Sequence, residues 1–504
     1  MVKFIKNARI LTMDDDKREL ENANILVRGS IIEAIGENVV CPAAEDVEVI
    51  DASGKLVMPG VINSHFHSFL NLCKGVPASP LSTALMFIFG NTLDNPPLPE
   101  DPDVAERISY LTTALGTIEM QKVGVTGVIE DSYYFPNVTA PAVNGHLNAY
   151  VTSGLRATVS MAQWNEPEYR QMALVSDLLD EDTIKQMDAL ASKKSLPSII
   201  DNYRQYIETW HGAASGRIHA SVSISAPERS TDELIIAASE LANEYGIVLD
   251  SHVLEAKYQR VLSMERWGKS AIAHLDDLGV LNERVHLNHA IWLDDKDIEI
   301  LAARGCSVSH NIHCNLLSGS GIMHFHQMHA AGIPIGIGVD EVDSDGTCNP
   351  WGVAKTANIA SHITDPDWCR WSTPEQLLGC LTRGGARGMC RENEVGMLAP
   401  GFEADLIMID LNTLPFTPLV DLQVQLLLSN VGRNVDMTMV AGEVVMKDGK
   451  SCTFDENEIM AECRELADHV FHESPTVEKL YPLWREAQLG AEHTEVGFDR
   501  LLKY

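Results

Sequence analysis

Residues 59–69 read PGVINSHFHSF. Behind the Pro-Gly turn lies an apolar run of strand length, and it finishes in two histidines one residue apart, His65 and His67. Side chains at i and i+2 of a strand point the same way, so both imidazoles can grip one cation where the strand ends. The rest of the chain decides what kind of sheet that strand joins.

Apolar, strand-length runs recur at 57–66, 124–131, 155–163, 217–227, 246–255, 284–292, 305–311 and 333–341. Helical patterns separate them. STDELIIAASELANEYG (230–246) has a Ser/Thr start, an apolar stripe and a Gly stop. STPEQLLGCLTRGGARG (372–388) offers Thr373 as N-cap, Pro374 in the first turn and Gln376 for a capping box. Eight β–α alternations with strands apolar on both faces predict a closed parallel (β/α)8 barrel of the TIM type. An open doubly wound sheet is the alternative, and it would not gather the polar strand ends described below.

The segments outside this pattern are strand-rich. KFIKNARILTMD, NANILVRGSIIEAIGE and VEVIDASGKLVM precede the barrel, while GFEADLIMIDL and DMTMVAGEVVMKDG follow it. Neither group can bury a sheet face alone, which predicts one discontinuous β-sandwich built by both chain ends. The expected domains are 1–57 and 398–450 for that sandwich, 58–397 for the barrel, and 451–504 for a helical C-terminal extension.

Bulk properties narrow the function. Thirty-eight basic against 71 acidic side chains leave a formal charge of −33, which argues against nucleic-acid and anionic-membrane partners. No apolar stretch approaches the ~20 residues that span a bilayer. The start MVKFIKNARILTMDDD lacks the pattern of a signal peptide. Ten cysteines without a CxxC pair suit reduced thiols, so a cytoplasmic location is expected.

In a barrel of this kind the loops leaving the strand ends enclose one pocket. Strand one ends in His65 and His67, strand five in His252 and Glu255, strand six carries His286 and His289, and strand eight ends at Asp340. His65, His67, His252 and Asp340 make a His3Asp set with room for water, the open position of a catalytic metal. One divalent ion per subunit is expected; zinc suits the donors, and iron, cobalt and manganese stay open. Bound water then becomes a nucleophile near neutral pH. Glu255, three residues past His252, is the expected proton carrier, and His289 the contact for the water or an oxyanion. His286 has the opposite strand parity to His289 and is expected to point away. A second HFH, in MHFHQMH (323–329), follows a Gly-Ser-Gly loop and should start a helix. There His324 and His326 lie about 200° apart and cannot share an ion; His326 and His329 are spaced to do so, although a plain helix face is the simpler expectation.

Six ordered motifs, PGVINSHFHS, HVLE, NHAIWLDDKDIEILA, SHNIHCNLLSGSG, GIGVDEVDS and VGMLAPGFEADLIMIDL, together resemble the amidohydrolase superfamily. The likeness is to the branch of triazine hydrolases, guanine deaminases and methylthioadenosine/S-adenosylhomocysteine deaminases, over roughly residues 1–450. It implies metal ligation by His65, His67, His252 and Asp340, proton transfer by Glu255, and water or oxyanion contact by His289; Asp340 is further expected to accept the water's proton and pass it to the leaving amine. It also implies a homo-oligomer, dimer or tetramer, with the C-terminal segment as the place to look for the contact.

The chain departs from that pattern in places. Glu341 follows Asp340 where deaminases of the branch read Asp-Gly, a carboxylate for a substrate amine or for a rim ion pair. His310 and Asn315 match family positions in a loop that lacks the usual His-Cys-Pro. Phe87, Phe89 and Trp292 are candidate stackers for a flat ring. The absence of arginines recognisably placed for a ribose-linked tail turns the expectation away from adenosine-type substrates. The expected function is hydrolytic deamination of an amino-substituted nitrogen heterocycle, whether triazine, pterin or purine-like. Displacement of chloride, alkylamine or thiolate, or cleavage of an amide, urea or carbamate, uses the same machinery; an inactive scaffold is the remaining alternative.

Overall fold

Gly60 divides two architectures. A Cβ at that position would lie 2.1 Å from the Thr126 side chain, so the crossing accepts only glycine. On its near side, the strand Lys55–Pro59 runs antiparallel to Leu406–Asp410 and parallel to Val2–Leu11. On its far side, Val61–His67 opens the barrel. The single strand expected over 57–66 is therefore two strands of different sheets. The apolar run passes through because both halves are buried.

The computed structural model describes residues 1–43, 46–75, 101–134, 138–166, 179–182, 184–185, 194–342, 346–470, 482, 485–486 and 488–500. Among these, both chain ends share one nine-stranded sheet, with the order Lys450–Ser451, Glu443–Lys447, Val435–Val440, Leu406–Asp410, Lys55–Pro59, Val2–Leu11, Glu19–Arg28, Ile31–Gly36, and Val47–Asp51 also paired to Val2–Leu11. It folds around its own small core, including Ile5, Ile10, Ile25, Leu406, Met408 and Met437.

Eight parallel strands close the barrel. We number them β1 (Val61–His67), β2 (Val125–Ser132), β3 (Arg156–Ala162), β4 (Ile218–Ser223), β5 (Leu249–Val253), β6 (Val285–His289), β7 (Ser307–His310) and β8 (Ile335–Ile337). Closure comes from Ile337 opposite Asn63, and the chain then re-pairs with β1 through Asp340 and Glu341, opposite Phe66 and His67. The eighth strand is thus broken just before Asp340, whose φ of 70° leaves the extended region.

Helices follow the strands as their caps dictate. Thr231 accepts from the Leu234 amide and Gly246 ends that helix at φ 66°. Thr373 and Gln376 form a reciprocal capping box at the start of Pro374–Gly379. MHFHQMH does enter a helix, Phe325–Ala330. Barrel and small sheet are locked by Arg156, whose guanidinium meets Asp405 in a bidentate pair (2.5 and 3.0 Å) and Glu403 at 2.8 Å. The helix Glu456–Val470 seats Ile459 and Cys463 on Leu111, Ala114 and Ile118 of the barrel helix Pro102–Lys122. Among the described residues, no helix is long and apolar enough to cross a membrane.

Candidate metal centre

The polar strand ends meet. His65 Nε2 and His67 Nε2 each lie 3.3 Å from Asp340 Oδ1, and His252 Nε2 lies 3.3 Å from His67 Nε2. All four side chains are buried. The register of β1 against β2 slips between Asn63 and Phe66, which lets β1 turn both histidines into the mouth.

The histidines are aimed from behind. His67 Nδ1–H donates to the Asp131 carbonyl at 2.6 Å, and His252 Nδ1–H donates to the Ser225 carbonyl at 3.0 Å. Such bonds fix the tautomer and leave the Nε2 lone pairs pointing at one another. His65 has no hydrogen-bond partner at either ring nitrogen, and Asp340 Oδ2 and Glu255 Oε2 have none either.

Lone pairs converging in a dry cluster repel unless something positive sits among them. The titration pattern shows the same demand. Burial disfavours charge on His67, yet the hydrogen bond and charge of Asp340, with Glu341 and Asp131 beyond, raise its pKa to about 10. Burial instead drives His65 down to about 3 and His252 well below its ordinary value. The donor set therefore fits a divalent cation: three imidazole nitrogens and one carboxylate oxygen, two of the imidazoles from the end of β1 and the third from β5.

The remaining rim handles protons. Burial pushes the Glu255 carboxyl up to about 7, and Asp340 adds to the shift. His289 Nε2 lies 3.7 Å from Glu255 Oε2 and 3.5 Å from Asp340 Oδ2. Its Nδ1–H donates to Asn315 Oδ1 at 2.9 Å, so Asn315 orients His289 from behind. His289 reaches the pocket because it leaves the strand at φ 69°, with Ala290 next at φ 47°. Non-glycine residues in that region cost free energy and mark sites where geometry is imposed.

His286 corrects the parity argument. It does face the barrel interior, but on the floor, where Nδ1 lies 2.8 Å from Ser307 Oγ and Nε2 3.0 Å from the Ser64 carbonyl. Parity failed because His289 is no longer extended. Trp292 is not brought into the cluster; its Nε1–H donates to the Ser320 carbonyl and its ring packs beside Phe498, as expected of an indole committed to packing. His310 is buried next to Phe325, and burial lowers its pKa to about 3. Glu341 is buried beside His67, whose protonated form its charge favours. Phe87 and Phe89 lie outside the described residues.

Several groups went unweighed in the sequence. Asp131 is the penultimate residue of β2, and its carboxylate accepts from Ser160 Oγ (2.7 Å) and Ser223 Oγ (3.0 Å) while lying 3.5 Å from His252 Nδ1. Its signal was the buried acidic pair in VIEDSYY (128–134). Tyr133 sits 5.4 Å from the His67 ring, with Phe69 and Trp164 beyond it as an aromatic wall. Arg229 is buried at the same mouth, Nη1 2.8 Å from Ser225 Oγ.

Comparison with known proteins agrees with this architecture. The profile described as "Amidohydrolase family" matches residues 56–445. A 5'-deoxyadenosine deaminase of Methanosarcina barkeri is 30% identical over 472 residues, covering 93% of this chain and 98% of its own. A 5-methylthioadenosine/S-adenosylhomocysteine deaminase of Symbiobacterium thermophilum is 30% identical over 471 residues, 93% and 99% of the two chains. Among solved structures, an atrazine chlorohydrolase of Arthrobacter aurescens complexed with zinc superposes with a TM-score of 0.80 at 23% identity, covering 92% of this chain and all of that one (100%). An adenosine deaminase of Xanthomonas campestris with bound zinc gives 0.79 at 22% identity, covering 93% and 98%.

Proposed function

The chain belongs to the amidohydrolase family, and on that premise we propose that it is a hydrolytic deaminase of an amino-substituted nitrogen heterocycle, adenosine-type purines first among them. One observation carries the reading: His289 lies 3.7 Å from Glu255 and 3.5 Å from Asp340, beside the cluster that fits a cation. A divalent ion held by His65, His67, His252 and Asp340, zinc in our reading, would supply a nucleophilic water near neutral pH.

The side chains do the rest. His289, with its Nδ1 proton committed to Asn315, accepts from the water at Nε2 and aims it. Glu255 begins as a neutral acid, which burial favours, and gives its proton to the ring nitrogen next to the attacked carbon. Asp340 takes a proton from the water and passes it to the departing amine. The second water proton returns to Glu255 as the carbonyl forms, so water enters, ammonia leaves and Glu255 is neutral again. Tyr133, Phe69 and Trp164 offer flat apolar faces to such a ring.

Two facts support the turn toward adenosine-type substrates, against the expectation from the sequence. The relatives at 30% identity carry names of adenosine-derivative deaminases, and Arg229 supplies a buried cation at the mouth. We further place the protein in a reducing, cytoplasmic setting as a homo-oligomer; eight free thiols among the described residues, Cys348 set aside, favour the first.

The test is a substrate panel with metal-loaded protein: adenosine derivatives, guanine, pterins, aminotriazines, and N-aryl amides and ureas, with ammonia and product mass measured. Ammonia from a purine is the expected result. Release of chloride, alkylamine or thiol with no ammonia from any amino-heterocycle would replace deamination with the sister chemistry.

A further inference from the structure

The chain beyond the small sheet plays no part in the chemistry above, yet its end lies against the catalytic rim. Arg500 is buried, and its guanidinium donates to the carbonyls of Ile291 (3.1 Å) and Leu293. These carbonyls stand two and four residues beyond His289. Nη1 of the same guanidinium meets His324 Nε2 at 3.2 Å, while His324 Nδ1–H donates to Gln327. The second HFH thus anchors a guanidinium rather than a metal. The Arg500 carbonyl accepts from the Ile322 amide at 2.9 Å, which ties in the loop after β7.

The same segment touches the other proton carrier. Lys257, two residues past Glu255, donates to the Glu492 carbonyl at 2.6 Å. Phe498 lies under the Arg260 guanidinium at 5.4 Å and beside Trp292. Between the two loops, the amides of Ile291 and Trp292 donate to the Leu254 carbonyl, and the Ala290 amide to that of Val253. Leu254, His289 and Ala290 all hold positive φ without being glycine. A backbone held that way needs partners on both sides, and the C-terminal segment supplies the outer ones.

We propose that residues 491–500 clamp the catalytic rim, with Arg500 as the positioning residue that sets His289 against Glu255. The consequence for turnover rests on the deaminase reading; the clamp itself does not. A guanidinium meets two carbonyls and an imidazole at once because its donors diverge in one plane, which an ammonium cannot reproduce.

The test compares full-length wild type with Arg500→Ala and Arg500→Lys. Amide exchange of residues 289–293 should accelerate in Arg500→Ala, with the small sheet unchanged. Turnover should drop about 10- to 100-fold, the scale of a small misplacement at the reacting centre, with KM and bound metal unchanged. Millimolar guanidinium should restore part of it. If Arg500→Ala does not fold, Arg500→Lys carries the same comparison and should fall between. Unchanged exchange at 289–293 overturns the clamp, and faster exchange with unchanged kcat overturns its catalytic role. A wild-type enzyme inert on every amino-heterocycle would defeat the deaminase reading alone, and the exchange data would still decide the clamp.

Discussion

His65 and His286 are equally buried imidazoles of one barrel, His65 in the metal cluster and His286 on the floor beneath it. At the floor, His286 has a partner for each ring nitrogen, and helix backbone packs so tightly there that a Cβ on Gly388 would meet its ring at 2.8 Å. At the mouth, His65 Nδ1 has no hydrogen-bond partner and Nε2 meets only the Asp340 carboxylate at 3.3 Å, while non-glycine residues hold positive φ around it. Burial lowers both pKa values, to about 4 and about 3, so titration does not separate them. Satisfaction does. A buried polar atom with every bond made is part of the scaffold; one left open among other lone pairs is waiting for a ligand.

The largest expected effect follows from the mouth. His65→Ala should remove bound metal to trace level by elemental analysis and take turnover to background, because two imidazoles and a carboxylate are a poorer cage. Retained metal with full activity would break the contrast at once. Next in size, Glu255→Gln should keep the metal and lose at least ~10²-fold in kcat, the low end for a group that moves a proton. Metal analysis beside steady-state rates separates the two variants, since one loses the ion and the other only the proton.

The floor and the mouth were not equally legible in the sequence. Strand positions could be read because parallel barrel strands are apolar on both faces and the intervening helices carry clear caps, as at Thr231 and Thr373. His65 and His67 could be read from period-two spacing in an extended strand. The same rule set His286 apart from the pocket, but it did not foresee that His286 faces the floor of the barrel or that His289 leaves the extended region at φ 69°, because periodicity says nothing about such residues. The apolar run through Gly60 reads as one strand, although it holds two strands of different sheets. Asp131 was passed over since an acidic pair near a strand end looks like any pair of solvated carboxylates until His67 and His252 are seen beside it.

Asp131 also gives the third prediction. Its carbonyl and carboxylate face two different histidines, and burial pushes that carboxyl up to about 6. Asp131→Asn keeps the backbone carbonyl and the size but removes the charge behind His252. Chelator competition should show metal affinity weakened about 10- to 100-fold, as for other groups that orient ligands, while the fully loaded variant turns over nearly normally. Unchanged affinity would mean that the Ser225 carbonyl alone orients His252.

The smallest effect on catalysis should come from the floor. His286→Ala opens a gap, leaves the Ser64 carbonyl without its imidazole, and leaves Ser307 Oγ only its longer bond to the Val285 carbonyl at 3.4 Å. Each buried group so orphaned costs about 1–3 kcal/mol, and in a chain of this length that is best read as an earlier thermal transition. Ser64 adjoins His65, so the loss could in principle travel to the metal site. It should not, because β1 is held on one side by β2 and on the other by Ile337, Asp340 and Glu341, and these pairings fix His65 whether or not one carbonyl keeps its imidazole. Bound metal and kcat should therefore match wild type while the melting transition moves down. A variant that melts normally but sheds its metal would show that the floor reaches the mouth after all.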